Sequence, residues 1–183
     1  MLMRILLLVM GIRAVTEEFR HGTMRPTLLA APTRQKLVVA KAIAVAGAGA
    51  IFAFVTVATL LVSMDLMANM NDITVAPLGD SWRTLVGALS VGVTWPTLGL
   101  GMGLLIRSQV AAIVGGVVWL MGLEQMIGGR LEDLGDFLPG EAGLAAAIAP
   151  SSTALWIGSL ALLRWAVVTS VGGALVLRRR DIA

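Results

Sequence analysis

Long apolar runs are the feature that most restricts what this chain can fold into. Residues 42–63 and 84–106 contain no charged side chain, while residues 109–127 and 155–177 contain one each. A helix needs about 20 apolar residues to cross the hydrocarbon core of a bilayer, so each run is long enough. A helix also satisfies its own backbone hydrogen bonds in lipid. The runs therefore predict an all-α, polytopic membrane protein.

The overall composition agrees with this class. Hydrophobic residues make up 57% of the chain and charged residues only 14%, whereas about a quarter of a soluble domain is charged. The formal net charge of +3 is no evidence for nucleic-acid binding, because its meaning depends on the side of the membrane on which the cations lie. The chain has no cysteine, which excludes disulfides and thiolate metal sites.

The whole chain, residues 1–183, is predicted to form one transmembrane domain with four full spans and a partial N-terminal span. The first apolar segment, residues 1–15, is too short to cross a bilayer and is interrupted by Arg4 and Arg13. We interpret it as the cytoplasmic end of a span that begins upstream. An interfacial anchor helix is the alternative.

The distribution of cations predicts the topology. Residues 16–41, Arg107 and the arginines at 178–180 carry most of the positive charge, whereas residues 64–83 and 128–154 are mainly acidic polar segments. Cytoplasmic segments of membrane proteins are enriched in Lys and Arg. We therefore expect the first group and the C-terminus to be cytoplasmic, and the two acidic segments to be external loops.

A few residues inside the spans stand out. Arg164 lies near the middle of the last span, where a charge costs about 2.5–3.5 kcal/mol on insertion scales. One interpretation is that Arg164 lines a substrate path or contacts another helix, with Glu124 as the candidate partner. The alternative is that its side chain snorkels to the headgroups. For Glu124 we favour an interfacial position. Pro96 predicts a kink, and Gly99 and Gly103 permit close helix approach.

The search for catalytic motifs is negative. The chain contains no GxxxxGK[ST] phosphate loop and no HExxH motif, and its one histidine, His21, cannot supply a multi-histidine metal site. The sequence therefore predicts no catalytic residue, no bound cofactor and no metal. A membrane subunit without enzymatic activity of its own is expected.

The charged segment at 16–41 is predicted to lie along the cytoplasmic membrane surface as one or two short helices. Thr16 is the expected N-cap, and the two acids that follow it suit the positive end of a helix dipole. Phe19 and Leu28 supply apolar anchors. A juxtamembrane linker that only binds anionic lipid is the alternative.

Three short motifs in this segment carry a resemblance to a known family. An E-F-R-H-G-T passage at 18–23 precedes P-T-L-L at 26–29 and P-T-R at 32–34, and Lys41 follows at the start of a span. This order resembles the cytoplasmic segment of ABC-2 type transporter permeases. The C-terminal R-R-R-D-I at 178–182 is similar to the ending of that family.

The resemblance implies a permease subunit of an ATP-binding-cassette exporter in the plasma membrane, moving a hydrophobic or amphipathic substrate. It implies a homo- or heterodimer of permease subunits and a separate ATPase subunit that binds ATP-Mg. The segment at 16–41 is then a coupling helix, and the residues expected to meet the ATPase are Glu18, Phe19, Arg20, Thr23 and Leu28.

Family members usually have six spans, so the resemblance also implies that this chain lacks the first span and most of the second. A non-catalytic membrane scaffold or regulatory subunit, that is, a degenerate permease, is therefore the alternative function. Nothing in the sequence identifies the cargo.

Overall fold

A computed structural model describes residues 2–22, 34–71, 81–128, 138–147 and 151–179 of the chain. Within these ranges the structure is helical and contains no strand, which confirms the predicted all-α class. The helices, in chain order, are α1 (Leu2–Arg20), α2 (Arg34–Asn71), α3 (Ser81–Ile106), α4 (Gln109–Val118), a π-helical turn (Trp119–Leu123), α5 (Glu124–Gly128), α6 (Pro139–Ala147) and α7 (Ser152–Arg179).

Helix α3 is the centre of the bundle and packs against α1, α2 and α7. Its Trp95 and Leu100 are almost completely buried. The short helix α6 packs against α3 and α7, and α4 packs against α1 and α3. Most of the outward-facing side chains of α2 and α7 are apolar and exposed. A bundle with this distribution buries its apolar residues at the centre and leaves an apolar outer surface, as expected for a chain in lipid.

Glycines bring α1 and α3 into direct backbone contact. A Cβ added at Gly99 would overlap the carbonyl oxygen of Leu8, and one at Gly103 would lie 3.0 Å from the carbonyl oxygen of Ile12. On the opposite helix, a Cβ at Gly11 would overlap the carbonyl oxygen of Pro96. The two predicted small residues of α3 therefore lie at a helix crossing, where only glycine lets the backbones approach so closely.

The crossing of α2 and α3 uses the proline of α3. Pro96 has no backbone N–H, so the carbonyl group of Gly92, four residues earlier, has no helical partner at that position. Gly49 of α2 lies against this carbonyl oxygen, because a Cβ added at Gly49 would overlap it. The proline and the glycine pair thus form a close contact in which Cα–H groups can face the freed oxygen.

Helices α3 and α7 run parallel, and hydroxyl groups join them. Ser159 Oγ donates a hydrogen bond to Ser90 Oγ at 3.0 Å, and Ser170 Oγ donates to the carbonyl oxygen of Thr97 at 3.3 Å. The pairing advances in the same direction on both helices, so their C-terminal ends lie at the same end of the bundle. Helix α1 also runs parallel to α3, and α2 runs antiparallel to it.

Among the described residues, three helices are long and apolar enough to cross a membrane: Gln35–Met70, Trp82–Ile106 and Ser152–Val176. The first extends well beyond the predicted span at 42–63. Residues 64–71 belong to α2 rather than to a loop. They form regular helix although their two turns are charged or rich in amides. The segment Gln109–Leu123 is a shorter apolar helix.

Helix α1 continues through the predicted start of the cytoplasmic segment. Thr16 is not an N-cap: its Oγ1 donates to the carbonyl oxygen of Ile12 at 2.9 Å, one turn earlier in the same helix. Glu17 and Glu18 therefore lie near the C-terminal end of α1 and not in a first turn. The uninterrupted apolar periodicity before Thr16 carries the helix through to Arg20, since no glycine or proline intervenes between Gly11 and that point.

Candidate functional site at the charged end of the bundle

The end of α1, the start of α2 and the turn between α3 and α4 meet at one end of the bundle. We call this region the charged end, and define it by Glu18, Phe19, Lys41 and Arg107. Beneath it lies a small apolar cluster that includes Val15, with Phe19 packed against its edge. The cluster contains residues of α1, α2 and α3 packed together, so these three helices are in contact beneath the polar groups.

Lys41 connects α2 to α1 by two hydrogen bonds. Its Nζ donates to Glu18 Oε1 at 2.6 Å and to the carbonyl oxygen of Ala14 at 2.8 Å. The two side chains are 18% and 24% exposed, so water screens the ion pair only partly. Hydrogen bonds between charged groups are about twice as strong as neutral ones. This contact therefore stabilises the junction between the two helices.

The ion pairs also offset an unfavourable placement of two acids. Glu17 and Glu18 lie near the C-terminal end of α1, where the helix dipole disfavours negative charge. Arg13 Nη2 lies 2.5 Å from Glu17 Oε1 one turn earlier, and Lys41 neutralises Glu18. Arg20 in the last turn has the charge that the dipole favours. The cations therefore offset the unfavourable interaction between the two acids and the helix dipole.

Arg107 occupies the tight turn between α3 and α4. Its backbone has a positive φ of 57°, a conformation that costs energy for a residue with a side chain. Its guanidinium carbon lies 5.3 Å from the centre of the Phe19 ring, within the range of a cation–π interaction. Ser108 then caps α4, and its Oγ accepts a hydrogen bond from Ala111 N. The turn is thereby held against the end of α1.

The structure brings together two of the five residues that the sequence assigned to an ATPase contact. Glu18 and Phe19 lie side by side at the charged end, where one is bonded to Lys41 and the other lies under Arg107. Arg20 is exposed on the same helix end. Thr23 and Leu28 lie outside the described residues. Arg107 and Lys41 are members of this region that the sequence analysis assigned only to the topology.

A second polar cluster lies nearer the opposite end, and the sequence analysis did not predict it. Glu124 is only 3% exposed, so its carboxylate lies inside the protein rather than on its surface. Its Oε1 accepts a hydrogen bond from Gly140 N at the start of α6, and Arg4 Nη1 donates to the carbonyl oxygen of Gly140 at 2.6 Å. The backbone N–H and C=O groups of one residue of α6, Gly140, are thus bound by an acid and a cation from two other helices.

The predicted contact between Arg164 and Glu124 is not formed. Arg164 is exposed on α7, whereas the charged groups near Glu124 are Arg4 and Glu141. Arg4 and Glu124 each interrupt an apolar segment, but 120 positions separate them along the chain, so no local pattern in the sequence links them.

The described residues of the charged end were also searched for metal-ligating groups. No group of three or more His, Asp or Glu side chains suited to a metal ion occurs among residues 2–22, 34–71, 81–128, 138–147 and 151–179. His21 Nδ1 lies 2.8 Å from the carbonyl oxygen of Glu17, so this ring is engaged with the backbone of its own helix. The region presents the exposed cations Arg13 and Arg20 beside contacts that link three helices.

Comparison with known proteins found no matching family, no matching curated protein and no matching solved structure. Over the described residues, the structure is that of an all-helical protein with three helices long and apolar enough to span a membrane.

Proposed function

We propose that this chain is the permease subunit of an ABC-2 type exporter in the plasma membrane. In this proposal it moves a hydrophobic or amphipathic substrate with energy from ATP-Mg hydrolysed on a separate ATPase subunit, and a second permease subunit completes the transporter. The charged end and the C-terminus face the cytoplasm. The motif resemblance around residues 18–41 supports the family, and the geometry of the charged end supports the coupling role.

One observation carries the proposal: α1, α2 and the α3–α4 turn are joined at the charged end by ionic and cation–π contacts. Glu18 binds Lys41, and Phe19 lies under Arg107. A force applied to the segment between α1 and α2 would reach both helices and α3 together, since the three are linked at one place. Rigid-body movement of packed helices is a common way to switch a membrane protein between states.

The proposed span count includes a fourth full span. Helix α4, the π-helical turn and α5 follow one another without a gap from Gln109 to Gly128. A helical run of this length is about 30 Å long, close to the thickness of a hydrocarbon core. Helix α1 is the partial span in this arrangement. Both assignments belong to the proposal.

The proposed class of cargo follows from the surfaces that face lipid and cavities. One cavity, of about 330 Å³, lies between α2, α3 and α7, and its surface is almost entirely apolar although Thr94, Thr97 and Ser170 are in its wall. A path through such surfaces favours apolar or amphipathic molecules over sugars and ions.

The proposal is tested by purifying the tagged chain from native membranes in mild detergent. We expect a Walker-motif ATPase in stoichiometric amount, with ATP hydrolysis that vanadate inhibits after reconstitution. Arg20→Glu reverses an exposed charge at the charged end and should lower this hydrolysis at least about fivefold, because an electrostatic contact is replaced by repulsion. Asp65→Arg, which reverses an exposed charge near the opposite end of α2, is the matched control and should leave it unchanged.

Two outcomes would contradict the proposal. Purification without any ATPase would favour the scaffold or regulatory subunit. Equal ATP hydrolysis in the Arg20→Glu and Asp65→Arg complexes would remove the coupling role from the charged end. Insertion of both variants into the membrane is checked by their recovery in the detergent extract and by their helical circular dichroism.

A further inference from the structure

A cavity of about 310 Å³ lies between α3, α4 with the π-helical turn, and α7, and Leu8 of α1 and Pro139 of α6 complete its wall. It is not part of the charged end or of the Glu124 cluster, and no step of the coupling proposal uses it. Its size is at the lower end of the range for small-molecule sites. Its lining includes Trp95, Met102, Ile106, Gly115, Trp119 and Trp165.

The lining offers hardly any group for a polar ligand. Thr169 is the one hydroxyl residue at the wall, and its Oγ1 is already bonded to the carbonyl oxygen of Trp165 at 2.9 Å. The indole nitrogen of Trp95 lies against α6, where a Cβ added at Gly143 would be 3.1 Å away from it. A polar molecule would lose hydrogen bonds to water on entering and regain few of them. Hydrocarbon is therefore the chemistry that suits this space.

The length of the cavity matches one acyl chain. Along α3 it extends from Trp95 to Ile106, and eleven residues of helix rise about 16 Å. Half of a hydrocarbon core is about 15 Å thick. The Ile106 end is next to Arg107 and the charged end, so this end lies at headgroup level and the Trp95 end lies near the middle of the bilayer.

The π-helical turn shapes one wall. The N–H group of Trp119 bonds to the carbonyl oxygens of both Gly115 and Gly116, and Glu124 N–H bonds to the carbonyl oxygen of Trp119, five residues earlier. Such turns often occur at functional sites because they displace side chains from the regular helical register. Here the turn begins at Trp119, one of the indoles of the wall. Gly115, four residues before Trp119, leaves open space: no atom lies within 4 Å of a Cβ added there.

The outer surface of both flanking helices is apolar. Val114 and Val118 of α4 and Val168 of α7 are more than half exposed. In a membrane such side chains contact lipid tails, so the molecules that surround the cavity walls are themselves acyl chains. The bilayer is therefore the nearest source of an occupant of the required length and polarity.

We propose that this cavity is a binding site for one acyl chain of a bilayer phospholipid, with the headgroup at the Arg107 end. The proposal depends on insertion of the bundle in a membrane and not on transport or on an ATPase. The bound chain fills the space between α4 and α7 and contributes to their packing. Because the length of the cavity matches one acyl chain, the affinity of the site should depend on the acyl-chain length of the surrounding lipids.

The test uses the intrinsic fluorescence of the protein. The chain has five tryptophans, and three of them, Trp95, Trp119 and Trp165, line the cavity. Substituting Trp82→Phe and Trp156→Phe, both on exposed side chains, leaves only the cavity indoles. This parent protein, delipidated in detergent, is titrated with phosphatidylcholine that carries two bromine atoms in the middle of one acyl chain.

We expect quenching that saturates at about one lipid per chain. Gly115→Leu places a side chain in the cavity and should raise the half-saturating lipid concentration about tenfold, since it displaces roughly two methylene groups of the bound chain. Gly47→Leu is the matched control: a Cβ there also meets no atom within 4 Å, but Gly47 lies on α2, away from the cavity. Its titration should equal that of the parent.

Three results would overturn the proposal. They are equal quenching in the Gly115→Leu and Gly47→Leu proteins, quenching that rises without saturation, and quenching by brominated stearate but not by the phospholipid, which would identify a free fatty acid as the occupant. If Gly115→Leu does not fold, native mass spectrometry of the parent decides: retention of one phospholipid per chain supports the site, and its absence removes it.

Discussion

Lys41 Nζ lies 2.6 Å from Glu18 Oε1, so the first turns of α2 are fixed to the last turn of α1. The pair is only partly exposed, and the same ammonium group also reaches the backbone oxygen of Ala14. The contact therefore locks the geometry on both sides of the segment that separates the two helices. A partner that binds this segment would therefore move α1 and α2 together.

The first prediction concerns this ion pair. Glu18→Gln and Lys41→Met should each lower the free energy of unfolding by about 1.5–3 kcal/mol, the value of hydrogen bonds to charged groups. The double variant should lose less than the sum of the two, because both single variants remove the same bond. Unfolding in mixed micelles with increasing denaturing detergent measures the cycle. Strict additivity would show that the pair contributes nothing.

Glu124 is expected to be a structural acceptor for α6. Glu124→Ala leaves the buried Gly140 N–H without its partner and should cost about 1–3 kcal/mol of stability. Glu124→Gln keeps one acceptor oxygen and should cost less. Glu17→Ala is the control, because it removes an exposed acid that is paired only within its own helix. Equal stability of the alanine and glutamine variants of Glu124 would contradict this role.

The crossing of α2 and α3 should tolerate no side chain at Gly49. Gly49→Val forces a methyl group into the carbonyl oxygen of Gly92, and overpacking of this kind costs about 1–3 kcal/mol or more. Gly47→Val, two residues earlier on the same helix, meets no neighbouring atom. The difference in unfolding midpoint between these two variants isolates the crossing from the change in helix propensity. Similar midpoints would mean that α2 does not approach α3 so closely.

The π-helical turn should set the orientation of Glu124. Deletion of Gly122 removes the extra residue and rotates everything after it by about 100° around the helix axis, which takes Glu124 away from Gly140. We expect a loss of stability close to that of Glu124→Ala. Adding Glu124→Ala to the deletion should then have little further effect. A large additional loss in the combined variant would show that the acid keeps its contact in the shortened helix.

Part of the candidate site was predictable from the sequence, because the charges stand out against an apolar background. Glu18 and Phe19 were assigned from a short motif, and the structure brings both to the charged end. Thr16 was misassigned as an N-cap, since a threonine before two acids looks like a helix start. The apolar turns before it continue the helix, and local pattern alone does not reveal which of the two signals prevails.

The Glu124 cluster was out of reach of the sequence. Arg4 and Gly140 are separated by 136 positions, and no local pattern links a cation in one helix to a peptide group in another. The apolar cavity beside α4 could not be predicted for the same reason, because helices remote in sequence and the π-helical turn must pack together before it exists.

The amino-acid sequence by itself determined that the chain is all-helical and apolar enough for a membrane. Hydropathy over some 20 residues and the hydrogen bonds within a helix are local properties, so composition and spacing are sufficient for them. Only the tertiary structure decided which glycines face a backbone, which acid is buried and where space remains between helices. Those features depend on the distances between segments remote in sequence, such as Gly49 and Gly92, and packing sets such distances only when the helices come together.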